Sequence, residues 1–211
     1  MLTPEEIQAL FTRQSGDFVF ARWGRPIAPV VFGVTDETLP VIKGAFEAVA
    51  ALAGQSIAET DPELGANCMV FFFKNWAELP EVPNLDKLVP DLGPLVDRLA
   101  ASDANQYRVF RFDADNAIKA CFIFIRMDDH LRAVNAETLA LSQAVQSVLL
   151  WSDAAFQDRS PLAVAGDHTI LRPEFAALVQ AAYDPVLPAY SEDAATALRL
   201  FARLPKGNVL H

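Results

Sequence analysis

Apolar positions recur along the chain in two rhythms, and the switches between them mark out the elements. Thr3-Pro4-Glu5-Glu6 offers a capping residue, a proline suited to a first helical turn and a glutamate placed to close a capping box. Ile7, Leu10 and Phe11 follow at helical spacing, which predicts a helix running to about Gly16. Phe18-Val19-Phe20 and residues 27–34 read as strands. Pro29 cannot donate to a ladder, so the second is expected at a sheet edge. Asp36 or Thr38 stands ready to cap a helix that carries Leu39, Ile42, Phe46, Val49, Ala50 and Ala53 on one side and stops at Gly54. Cys68–Phe73 is apolar throughout, as a strand covered on both faces must be.

Pro80, Pro83, Pro90 and Pro94 oppose regular ladders, so this stretch reads as a loop or a pair of short helical turns over the sheet. A helix over 94–101 carries Leu95, Val96 and Leu99. Tyr107 to Phe112 alternates, Asp113-Ala114-Asp115-Asn116 supplies a turn, and 118–126 returns as a second strand whose later half loses the alternation. A long helix is predicted from Asp128-Asp129-His130 to near Leu150, then a turn-like stretch over 152–171. Helices over 173–183 and 191–204 close the chain, the last behind Ser191-Glu192-Asp193. Helices in the first, middle and final portions flank the strands without strict βαβ alternation. The expected fold is α+β: a mixed or mostly antiparallel sheet of about four to five strands packed with helices. No shift of composition divides residues 1–211, so a single domain is expected.

Composition supports a packed core: of 211 residues, 52% are hydrophobic, 21% are charged and 15 are phenylalanine. The net charge is −10, and the 17 Lys and Arg are scattered, which argues against polyanionic nucleic acid and anionic membrane surfaces as partners. No apolar run reaches the roughly 18–20 residues of a membrane span. Met1-Leu2-Thr3-Pro4-Glu5-Glu6 lacks the basic and apolar regions of a signal peptide, which points to a cytoplasmic location. Cys68 and Cys121 lie inside apolar runs and form no CxxC pair.

The chemistry-bearing residues are few. The histidines are His130, His168 and His211, with no HxH, HxxxH or HExxH spacing, so no metal or cofactor is expected. His130 follows Asp128 and Asp129, which either tune an imidazole or simply place acids at a helix N-terminus; the second reading is the expected one. No GxSxG surrounds a serine, and neither cysteine has a polar neighbour that would favour a thiolate.

Several landmarks occur in a familiar order. Arg22-Trp23-Gly24-Arg25-Pro26-Ile27 leads into a strand; Leu52-Ala53-Gly54-Gln55-Ser56-Ile57 ends a helix; Ala66-Asn67-Cys68-Met69-Val70-Phe71 follows. Downstream come Ser142-Gln143-Ala144-Val145 and Leu178-Val179-Gln180-Ala181-Ala182-Tyr183-Asp184-Pro185-Val186-Leu187. Together these resemble a proteobacterial family of unknown function, many of whose members are described as lipoproteins, and which is itself similar to zincin metallopeptidases. The resemblance implies a mixed sheet followed by a helix where zincins keep HExxH. Here Gln143 matches that helix, but Ala140 stands where a glutamate would be and Leu139 where the first histidine would be. Alanine cannot activate water and leucine cannot ligate zinc. Glu137 lies three residues too early to substitute. The expectation is therefore a non-catalytic zincin-like binding domain, with an unidentified protein or peptide partner at an edge strand. The competing expectation is a hydrolase whose site gathers His130, Glu137, Tyr183 and Asp184, with Gln143 as a further functional polar residue.

Overall fold

Residues 68–73 and 118–126, the two uninterrupted apolar runs, lie side by side at the centre of the structure, a computed structural model that describes residues 1–205. Helix α1 (Pro4–Phe11) and a two-residue strand β1 (Phe20–Ala21) precede β2 (Pro29–Phe32), α2 (Leu39–Ala53) and β3 (Cys68–Phe73). A 3-10 turn (Trp76–Glu81) and the helices α3 (Leu85–Leu88) and α4 (Leu92–Ala101) lead into the hairpin β4 (Gln106–Phe112) and β5 (Ile118–Arg126). There follow α5 (Asp129–Arg132), α6 (Ala136–Val148), a second hairpin β6 (Leu162–Ala165) and β7 (His168–Leu171), α7 (Pro173–Ala182), β8 (Tyr190–Ser191) and α8 (Ala195–Phe201).

The main sheet has the order β2-β3-β5-β4, parallel across β2-β3 and β3-β5 and antiparallel across β5-β4. The fold is thus α+β with a mixed sheet. Two-residue periodicity divides β3 and β5 between two apolar clusters. Cys68, Val70, Cys121, Ile123 and Ile125 face the side that carries α1, α2, α6, α7 and α8. Phe71, Phe73, Ala120, Phe122 and Phe124 face the side that carries the 3-10 turn, α3 and α4. Pro29 begins an edge strand, as its missing donor requires. β2 stops at Phe32 because Gly33 turns with φ +80° against β3; a Cβ there would lie 2.2 Å from the Phe72 carbonyl oxygen.

Local chemistry explains most boundaries. Thr3 and Glu6 form the expected capping box, and Gly54 ends α2 in the left-handed conformation. α1 stops at Phe11 rather than near Gly16, because Thr12 is extended and Ser152 takes over the helix end: its N–H donates to the Leu10 carbonyl (2.8 Å) and its hydroxyl to that of Thr12 (2.7 Å). The predicted strand over 18–20 contracts to β1, which pairs with β8. The single helix expected from 128 to 150 is two helices, since Asp128 caps α5 and Asn135 caps α6. The stretch 152–171, expected as turns, contains β6 and β7. Thr38 stands at the start of α2 without a side-chain cap.

Two buried side chains bind these parts together. Trp23 donates its indole N–H to the Ser147 carbonyl at the end of α6 (2.9 Å). Asn67, fully buried, accepts from Ala28 N (2.7 Å) and donates to Pro26 O (2.9 Å) and Asp61 Oδ2 (3.0 Å), bridging the entries to β2 and β3. Asn67→Ala orphans the buried Ala28 N–H and removes a donor from the buried Asp61 carboxylate. It is expected to lower unfolding free energy by about 2–4 kcal/mol in urea titrations, without loss of the sheet signal in circular dichroism.

Candidate functional site

The outer strand β4 is where the cover over the sheet is incomplete. Arg126 N donates to Asn105 O (2.8 Å), so the alternation of an antiparallel ladder directs the backbone groups of Gln106, Arg108 and Phe110 away from β5. The side chains of these three residues lie on the α6 side. Between them and the segment that follows α6 opens a cleft of about 700 Å3, floored by Phe110, Leu150, Trp151 and Phe156. Its walls are held rigidly. Trp151 stacks on Phe11 (centroids 5.3 Å apart, planes 12°), meets Phe156 edge-on at 5.1 Å and donates its indole N–H to Val145 O (2.8 Å).

Gln143 organises the polar end of this region. It is 1% exposed on α6; its amide N–H donates to Gln106 Oε1 (2.7 Å), and its carbonyl accepts from Arg108 Nη2. Among the described residues the guanidinium of Arg108 makes no ion pair, and its Nε is buried without a partner. Burial pushes its pKa down to about 10, with the neighbouring Cys121 and Cys68 thiols acting in the opposite sense. Arg13 reaches the same cleft and donates to Trp151 O (2.7 Å); burial lowers its pKa too, while Asp153 raises it. Beneath Arg108 the two cysteines face each other across β3 and β5, free and fully buried. Burial raises the Cys68 pKa well above the thiol range and that of Cys121 to about 12.

The residues expected to build a hydrolytic site are dispersed. His130 is exposed on α5, where Asp128 accepts from Leu131 N (2.8 Å) and Asn105 Nδ2 (2.9 Å) and Asp129 pairs with Arg132; the acids serve the helix end. Glu137 is exposed in the first turn of α6. Tyr183 donates to Val148 O (2.7 Å) and accepts from Trp23 N (3.3 Å); burial raises its pKa. Asp184 accepts from Val186 N (2.8 Å) and pairs with Arg203 Nε (2.7 Å), which together hold its pKa low. No hydrogen bond or ion pair joins any two of these four, and none of them lines the cleft. Gln143 is the exception that does stand beside the cleft, bound to the side chains of Gln106 and Arg108. Leu139 and Ala140 are buried in the core. His168 is exposed at the start of β7, and His211 lies outside the described residues. Among the described residues no three His, Cys, Asp or Glu side chains gather where they could hold a metal ion, and no helix is long and apolar enough to cross a membrane.

Comparison with protein-family models, with curated proteins and with solved structures finds no match to this chain.

Two outcomes are expected. Gln143→Ala removes the partner of both Gln106 and Arg108 and lowers stability by about 1–3 kcal/mol in thermal or urea unfolding. Cys68 and Cys121 resist thiol reagents in the native protein at mildly alkaline pH and react fully once it unfolds. Because folding raises the thiol pKa values, the stability they contribute is complete below the ordinary thiol range. It is lost as pH rises from there towards about 12.

Proposed function

We propose that this chain is a non-catalytic binding domain whose ligand, an amphipathic small molecule, occupies the cleft between β4 and the Trp151 segment. One observation carries the reading: a concavity of about 700 Å3 with an aromatic floor and a few fixed donors, the make-up of a small-molecule site. Its lining contains no histidine, cysteine or lysine among the described residues. The Ser152 hydroxyl donates to Thr12 O (2.7 Å) and lies 3.3 Å from the carboxylate of the adjacent, exposed Asp153; without a histidine to take the proton, this pair lacks the nucleophile–base–orienter set of a nucleophilic site. In this reading the zincin-like helix survives as architecture, with Leu139 and Ala140 given over to packing.

An extended peptide along β4 is the second reading, favoured by the outward backbone groups of Gln106 and Arg108. The strand is poorly suited to a long partner, because Arg111 bonds to Phe110 O (3.3 Å) and the ladder is irregular between Arg111 and Phe112.

Titrating isotope-labelled protein with aromatic and aliphatic acids, amides and alcohols is expected to shift the resonances of Phe110, Trp151 and Phe156 together. Shifts scattered over the surface, or turnover of any probe, defeat the proposal; shifts confined to the Gln106 and Arg108 amides with added peptide favour the second reading. Elemental analysis is expected to find no stoichiometric zinc, and one equivalent per chain would instead favour the hydrolase.

A further inference from the structure

The charge around the cleft is opposite in sign to that of the whole chain, which carries −10. Elsewhere some arginines meet carboxylates, as Arg25 meets Glu63, Arg126 meets Asp103 and Arg203 meets Asp184, and others, such as Arg22 and Arg172, bond to backbone carbonyls. The charged lining of the cleft is Arg13, Arg108 and the exposed Asp153, two cations against one anion and so a net +1. Arg13 spends a donor on a backbone carbonyl and Arg108 spends one on the Gln143 amide oxygen; neither is hydrogen-bonded to a carboxylate. Removing a guanidinium from water without a counter-ion is costly, and a site that does so is built for an anion that arrives from outside.

The geometry of Arg108 says where that anion sits. Nη2 is committed to Gln143, and Nε is sealed from solvent without a partner. Nη1 bonds to nothing among the described residues and is not sealed, so it is the donor left open to the cleft. Gln143 is itself fixed by Gln106, which locks the guanidinium plane before any ligand arrives and so reduces the ordering cost of binding. A carboxylate is matched by a guanidinium donor in both shape and charge. One net positive charge offsets one negative charge, which suits a monoanion better than a doubly charged phosphate.

Resting on the cleft-binding reading, we infer that the ligand carries a single carboxylate that binds the open Nη1 of Arg108, with its apolar body over Phe110, Trp151 and Phe156. The class is an aryl- or alkyl-carboxylic acid. The amide of the same acid, equal in shape but uncharged, is the molecule that the site rejects.

The test compares phenylbutyrate with phenylbutanamide on the full chain, by tryptophan fluorescence and titration calorimetry. The acid is expected to bind about tenfold tighter or more, as a charge-assisted hydrogen bond provides. Asp153→Asn, an exposed change, is expected to tighten the acid alone. Gln143→Glu places a carboxylate against Arg108 from within the chain and is expected to abolish the preference. Equal binding of acid and amide overturns the inference while leaving the cleft reading intact; binding of neither overturns both. A preference that survives Gln143→Glu also overturns it. Should that variant fail to fold, the acid–amide comparison on the unaltered chain and on Asp153→Asn decides the matter alone.

Discussion

Everything in this fold follows from the need to cover β3 and β5 on both faces. Their side chains are apolar at nearly every position, so neither face tolerates water. One face takes the larger helices, with α2 and α6 packed against each other and α7 and α8 behind them. The other takes the 3-10 turn, α3 and α4, short elements dictated by the prolines of that stretch. β4 shields the open side of β5 but is itself only half covered, every residue from Gln106 to Arg111 being partly exposed. The cleft is the space left where this cover runs out.

Placing a guanidinium at that boundary has a physical logic. In the middle of the sheet it would be prohibitively desolvated; on an open surface it would be fully hydrated and indifferent to anions. At the half-covered strand Arg108 keeps one donor open while burial weakens its hold on its proton. Gln143 is suited to hold it, because an amide orients a cation without neutralising it. A carboxylate at position 143 would have consumed the charge. On α6, Leu139 and Ala140 pack into the core while Gln143 turns to β4, so one helix both fills the interior and positions the guanidinium.

What was legible in the sequence was what local chemistry determines. The capping box at Thr3, the glycine stop after α2, the edge strand at Pro29 and the β4–β5 hairpin all follow from residues near one another, and all stand as expected. What the sequence does not show depends on partners distant in the chain. Nothing near Phe11 says that Ser152 will end α1, and nothing near Phe20 says that it pairs with Ser191. Asn135 was a readable signal for a second helix start, masked by apolar spacing that continues through it. The cleft was the least legible feature. Tyr107 to Phe112 shows an arginine on each face, and only the packing of α6 decides that Arg108 looks into the cleft while Arg111 bonds to Leu88 O. The hint was there in Gln106 and Arg108, polar residues on the same face of a strand beside a wholly apolar neighbour.

The two-stranded ribbon of Phe20–Ala21 with Tyr190–Ser191 carries a consequence for the order of folding. It joins segments far apart in the sequence, and the cleft draws Arg13 and Val19 from one of these regions and Tyr190 from the other. Closing so long a loop costs chain entropy that only many simultaneous contacts repay. The rim of the cleft is therefore set late, by the same long-range closure that completes the core around β3 and β5.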